Sequence, residues 1–386
     1  MSRPAQLLRR RTDPLGASFL ELFFDLAFVL ALSQLVSILL ADLSVAGALR
    51  TALLLAPVWL AWTTTTWSTD WYDPGARSVR VLLIGATLGT LLMGVALPEA
   101  LAGRGLLFAG AYVAIHLGRG LLISIGLRGH PLRRRTLRVL CWYSATSLLW
   151  LFGAFVPAAR VPVWVLALAV DYSGPRLGWP TPHLGRASAE ELRLSGGHLS
   201  ERFQQVFIIA LGELILAAGM AYSEAGTSLP QTAAFLMTFA AAVLIGLLYV
   251  TPAGMHLGPA IDRAYQSRLA TTLAYLQLLM IAGVVATAAG GELAITHPTE
   301  RGTVAAVAVT VAGPALFLAG RVLLSVALHR RFSWPRLGGL LAMFVATVVA
   351  IRLPLLAVSA ITTAVLFVVA AVDHTGVFSP PRVGQR

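Results

Sequence analysis

The chain reads as an all-α integral membrane protein of about 12 transmembrane helices, built as two parallel six-helix repeats. Three observations predict this. Hydrophobic residues make up 57% of the 386 positions and charged residues only 12%, far below the charged share of a soluble domain. Mean hydropathy is +0.78, and apolar stretches long enough to cross a bilayer recur from end to end. Charged motifs return at matching places in the two halves.

With about 20 apolar residues per crossing, the first half holds spans at 18–40, 48–68, 79–97, 105–126, 137–157 and 160–176. The second half holds spans at 203–222, 231–250, 267–289, 303–328, 337–352 and 355–372. The domains are then a basic N-terminal segment 1–17, a first repeat 18–176, a linker 177–200, a second repeat 201–372 and a tail 373–386. The first run is of full spanning length and carries two acids, so it reads as a helix rather than a cleavable signal. Span two ends in four threonines, Thr63 to Thr66, whose hydroxyls can bond carbonyls of the preceding turn. Trp67, Trp71 and Tyr72 beyond them read as an interfacial aromatic belt. Gly85 and Gly89 in span three are spaced for close helix packing. Arg352 and Pro354 interrupt the last apolar run, so ten or eleven crossings result if the final pair is re-entrant. The linker is rich in Pro, Gly and Ser and reads as a cytoplasmic connection, either solvated or with a short surface helix over 187–194.

Charge placement supports this layout. All 29 basic residues are Arg, and the chain contains no Lys and no Asn, hence no site for Asn-linked glycosylation. With the N-terminus inside, 22 of the arginines fall on cytoplasmic segments and 5 on the opposite side. That asymmetry places both termini in the cytoplasm. It also explains the net charge of +12 without nucleic acid as a partner. Cys141 is the only cysteine, which rules out an intrachain disulfide and a Cys-based metal site. The histidines show no paired spacing such as HExxH, so no metal is expected. No P-loop, dinucleotide fingerprint or nucleophile elbow is present, so neither a cofactor nor an enzyme activity is expected. The expected partners are the lipid bilayer and a small ion or solute, with a homo-oligomer left open.

The internal repeat rests on two matches. Glu21-Leu-Phe23-Phe-Asp25 in span one aligns with Glu201-Arg-Phe203-Gln-Gln205 in span seven, Gln205 replacing Asp25. Leu117-Gly118-Arg119 in span four aligns with Ala319-Gly320-Arg321 in span ten. Both matches keep their place in a six-helix unit starting on the same side, so the repeat is parallel.

An ionised carboxylate in hydrocarbon is costly and persists only if it is paired, protonated or facing water. Glu21 and Asp25 lie four residues apart, on one helical face. Asp25 is the leading candidate for a functional polar residue and Glu213 the second. Glu21 and Glu201 lie near span ends, within reach of headgroup water. The economical pairing sets Arg119 against Asp25 or Glu21, and Arg321 against Glu201 or Glu213. Such pairs are either structural or the lining of an ion path. His116 lies one turn before Arg119 and is a core residue or a proton relay.

The run Glu21-Leu-Phe-Phe-Asp25-Leu-Ala-Phe28-Val29, with Glu201-Arg-Phe203 and Ala210-Leu-Gly212-Glu213, resembles the bacterial low temperature requirement A family. The likeness spans roughly residues 10 to 375. It implies a multi-pass protein of the bacterial inner membrane, linked in name to growth in the cold. Glu21, Phe23, Asp25 and Phe28 are also similar in spacing to a motif of an endolysosomal and bacterial potassium-channel family. Phe24 and Gln205 depart from that motif.

Overall fold

The computed structural model describes residues 7–9, 16–250, 267–329 and 333–375. Most of the basic N-terminal segment, the loop 251–266 with Arg263, the pair Arg330 and Arg331, and the tail from residue 376 lie outside the described residues. Among the described residues there are twelve α-helices. The first six are α1 (Phe19–Ala41), α2 (Val45–Trp71), α3 (Arg77–Ala96), α4 (Gly105–Gly126), α5 (Arg133–Phe155) and α6 (Arg160–Leu177). The others are α7 (Gly196–Ala225), α8 (Leu229–Val250), α9 (Ser267–Thr296), α10 (Val304–His329), α11 (Trp334–Ala350) and α12 (Leu355–Thr375).

Ten of these helices are long and apolar enough to cross a membrane. The two exceptions have physical causes. Helix α6 has 18 residues and carries Arg160, Asp171 and Arg176. Helix α11 has 17 residues, short of the length of about 20 that a crossing needs.

The chain divides into two compact units. The first comprises Met1–Ile38, Ala46–Ile209 and Leu257–Ala274; the second comprises Leu39–Val45, Ala210–His256 and Tyr275–Arg386. In the first unit α3, α4, α5 and α6 pack in sequence. In the second, α10 packs on α11, α11 on α12, and α12 on both α8 and α10. Glycines bring α9 and α10 together: a Cβ on Gly283 would lie 2.6 Å from the Phe317 backbone nitrogen, and one on Gly290 2.6 Å from Thr310 Cα. Such small-residue contacts suit helices that meet in lipid, where packing supplies most of the attraction. In α3, a Cβ on Gly89 would run into the Ile115 side chain of α4, while one on Gly85 would meet nothing within 4 Å.

The helices turn the soluble pattern inside out. On α1 the exposed large apolar residues are Phe19, Leu22, Phe23 and Leu26, whereas Glu21, Asp25, Phe28 and Leu32 are buried. Apolar side chains facing outward and acids facing inward fit a lipid surround.

The linker differs from its expected form. It makes turns rather than a surface helix over 187–194. It is not a solvated connection either, because Trp179, Leu192 and Leu194 are buried. Arg135 donates to the Glu191 carbonyl, Arg138 donates to the Leu184 carbonyl, and Arg138 also pairs with the Glu191 carboxylate. The aromatic belt is corrected too. Trp67 and Tyr72 are buried, and the Arg135 guanidinium covers Trp71 at 3.9 Å from the ring centre. With the linker folded back, α7 starts at Gly196, seven residues before the expected span. That extra length forms the site described next.

Candidate functional site

The site lies within the first unit, where the start of α1, the end of α2 and the start of α7 meet. Ser18 and Glu21 form a capping box at the entry to α1. The Ser18 N–H donates to Glu21 Oε2 at 2.7 Å, and the Glu21 N–H reaches Ser18 Oγ at 3.4 Å. This reciprocal arrangement satisfies amides that a helix start leaves unpaired. It holds one carboxylate oxygen against the backbone and turns the other inward.

One helical turn deeper, Asp25 receives both arms of the Arg202 guanidinium. Arg202 Nη1 donates to Oδ2 at 2.7 Å and Nη2 to Oδ1 at 2.6 Å. Trp62 Nε1 on α2 donates to Oδ1 at 2.8 Å. Arg202 Nη1 also reaches Gln205 Oε1 at 2.9 Å. Two parallel charge-assisted bonds are the strongest form of such a pair. Aromatic rings enclose it: Trp59 stacks on Trp62 at 4.8 Å, Phe203 stacks on Trp62 at 6.0 Å, and Phe28 meets Trp62 edge-on at 6.3 Å. Asp25 is fully buried and Arg202 is 1% exposed. Water is excluded, so the pair itself must offset the desolvation of both ions.

His198 lies one turn before Arg202 on the same face of α7. Its Nε2 is 2.9 Å from Glu21 Oε1, and its Nδ1 is 3.1 Å from Asp70 Oδ1. Asp70 sits near the end of α2, and its other oxygen accepts the Ser195 N–H at 2.9 Å, just ahead of α7. Carboxylates near a helix start are stabilised by its free amides and dipole. Arg202 Nε lies 4.0 Å from Glu21 Oε1 and has no hydrogen-bond partner.

The predicted residues distribute as follows. Asp25, Glu21 and Glu201 come together here, joined by Arg202, His198, Asp70 and Gln205. Glu21 does not reach headgroup water, because it is fully buried. Glu201 accepts the Ala17 N–H at 3.1 Å and a Gln205 amide hydrogen at 3.0 Å. Glu213 is buried on α7, eleven residues beyond Arg202 and in the second unit. Arg119 does not pair with Asp25 or Glu21, because Arg202 and His198 already hold those carboxylates. It lies elsewhere in the first unit, with Nη2 at 3.0 Å from His116 Nδ1 and its guanidinium 5.6 Å from the centre of Tyr143. His116 stacks on Tyr143 at 4.0 Å. Close by, Tyr112 and Trp150 donate to Asp171 Oδ2 at 2.8 and 3.1 Å. In the second unit, Arg321 is buried beside Tyr249, 5.8 Å from its ring centre. Arg336 binds Asp373 through Nε at 2.9 Å and Nη2 at 2.8 Å.

Sequence reasoning missed Arg202, His198 and Asp70. Arg202 is one of the 22 arginines that the charge count assigns to cytoplasmic segments. The signal was present: His198 and Arg202 are four residues apart and share a helix face, provided the helix starts at Gly196 rather than at the first apolar residue. Among the described residues no group of His, Cys, Asp and Glu is arranged to hold a metal ion.

Fold and site together define a multi-pass helical membrane protein with a buried cluster of three carboxylates, an arginine and a histidine. The profile described as "Bacterial low temperature requirement A protein (LtrA)" matches residues 16–371, and the chain belongs to that family. It is similar to an uncharacterized protein of Rhizobium meliloti (strain 1021), 34% identical over 378 residues, covering 95% of this chain and 91% of the relative. No solved structure matches.

Proposed function

We propose that this protein moves a small ion or solute across the bacterial cytoplasmic membrane, without enzymatic activity, and that the Asp25 cluster is its polar locus. The observation that carries the reading is the concentration of three carboxylates, Arg202 and His198 in one buried site. Each buried ion costs several kcal/mol to desolvate, and a pair kept only for stability is commonly replaceable by apolar packing. Intramembrane ionisable groups more often mark ion and proton paths.

We also propose twelve membrane-crossing helices in two parallel six-helix repeats, with both termini cytoplasmic. Supporting this, Asp171 follows Arg119, and Asp373 follows Arg321, by the same 52 residues. These four residues occupy the fourth and sixth helices of each half. The packing of α4 on α5 and α5 on α6 is also matched by α10 on α11 and α11 on α12.

The test is flux of K⁺, Na⁺ and H⁺ into proteoliposomes holding purified protein, wild type beside Asp25→Asn. Flux that the substitution abolishes or alters in selectivity is the expected result. Absence of any flux from folded wild-type protein overturns the ion reading.

One observation favours a second reading, a non-transporting structural or sensory protein supporting growth in the cold. Asp25 is closed on both oxygens by Arg202 and Trp62, as a permanent internal pair would be. On that reading Asp25→Asn changes stability alone.

A further inference from the structure

His198 has a carboxylate on each ring nitrogen. A neutral imidazole donates from one nitrogen and accepts at the other, while an ionised carboxylate only accepts. If the ring were neutral and both acids ionised, a ring lone pair would face an anionic oxygen. Rotating the ring does not help, because Glu21 Oε1 and Asp70 Oδ1 lie on opposite sides at 2.9 and 3.1 Å. The carboxylates cannot turn away either. Glu21 Oε2 is held by the Ser18 N–H at 2.7 Å, and Asp70 Oδ2 by the Ser195 N–H at 2.9 Å. The triad is therefore complete only when it holds one proton more than a neutral ring and two carboxylates.

The charges facing the triad agree. Helix α1 presents Glu21 and Asp25, α2 presents Asp70, and α7 presents Arg202 beside His198. Among the buried groups, three carboxylates against one guanidinium leave an excess of two negative charges. A proton halves it.

We infer that the transported ion is the proton and that Asp70, His198 and Glu21 are its relay. This rests on the transport reading above. Asp70 is the outer member, 8% exposed, while His198 and Glu21 are fully buried. A proton arriving on Asp70 Oδ1 passes to Nδ1: the O–H bond breaks, an N–H bond forms, and the ring becomes an imidazolium. Nε2–H then gives its proton to Glu21 Oε1, leaving a neutral ring and a neutral carboxyl. Each step moves one hydrogen along an existing hydrogen bond, and the total charge of the triad is unchanged. Asp25 with Arg202 lies one turn further along α1, next to the acid that holds the proton last.

The experiment loads proteoliposomes with a pH-sensitive dye and imposes an inside-negative potential with valinomycin and a K⁺ gradient. Na⁺ uptake, and K⁺ flux without valinomycin, are followed in parallel. The expected result is internal acidification by wild-type protein that falls at least tenfold in His198→Gln, with Asp70→Asn and Glu21→Gln as further variants should the first fail to fold. Acidification unchanged in any folded member of the three overturns the relay. Wild-type flux of Na⁺ or K⁺ without H⁺ overturns the inference and leaves the transport reading standing. No flux of any ion overturns the inference together with the ion reading it rests on. Should none of the variants fold, wild-type selectivity for H⁺ decides alone.

Discussion

Two buried polar clusters in the first unit solve the same problem differently. In the cluster of α1, α2 and α7, every buried charged side chain faces an opposite charge or a histidine. Asp25 has Arg202, and His198 sits between Glu21 and Asp70. In the cluster of α4, α5 and α6, the charges are dispersed. Arg119 meets His116 and Tyr143 rather than a carboxylate, and its Nη1 has no hydrogen-bond partner. Asp171 is met by the O–H of Tyr112 and the N–H of Trp150 rather than by a cation. The first cluster is a tightly coupled electrostatic unit in which losing one member strands another. The second is a set of neutral donors and ring faces around isolated charges, and each member can be lost more cheaply.

The largest effect separating the two is therefore expected at Arg202. Replacing it with Leu leaves Asp25 buried without a counter-ion. Breaking a buried pair from one side costs about 3–5 kcal/mol, so Arg202→Leu should abolish folded protein or lower its melting temperature in detergent sharply. The double variant Asp25→Leu with Arg202→Leu removes both charges and should recover much of the loss, the non-additivity measuring the coupling. A double variant as unstable as the single one would show that the pair is not the unit described here.

Arg119→Leu sharpens the contrast. No carboxylate loses its partner, and the substitution also removes a buried charge with an unmet N–H. The net loss should be that of an ordinary hydrogen bond, about 0.5–1.5 kcal/mol. The same melting measurement on both variants reads the difference directly. Equal losses at Arg119 and Arg202 would erase the distinction between the clusters.

The difference between the clusters also explains what could be read from the sequence. The membrane-spanning class, the helix order and the single helical face shared by Glu21 and Asp25 were legible, because an acid inside an apolar run is conspicuous. Arg119 was equally conspicuous for the same reason, which made it the obvious partner for Asp25. Arg202 was not. It lies at the polar start of span seven, directly after the linker 177–200, where an arginine reads as a cytoplasmic-side charge until the linker's own fold is known. Trp179, Leu192 and Leu194 pack inward and let α7 begin early, and that is a tertiary fact with little local trace. Asp70 was hidden likewise. An acid at the end of a span ordinarily meets headgroup water, and only the Ser195 amide and His198 show why this one is buried.

The smallest expected effect comes from the edge of the first cluster. Ser18→Ala removes the hydroxyl arm of the capping box while leaving the backbone N–H that binds Glu21 Oε2. The lost contact is long, 3.4 Å against 2.7 Å for the retained one, so its contribution lies at the low end for an N-cap, about 0.5 kcal/mol. Because Glu21 keeps its inward oxygen on His198, Ser18→Ala should shift melting only slightly and leave H⁺ flux at the wild-type level. The two halves of the capping box then play separate parts: the hydroxyl trims the helix end, and the backbone amide aims the carboxylate. Loss of flux in a stable Ser18→Ala protein would instead place the serine hydroxyl in the proton path, and move the outer end of the relay from Asp70 to the start of α1.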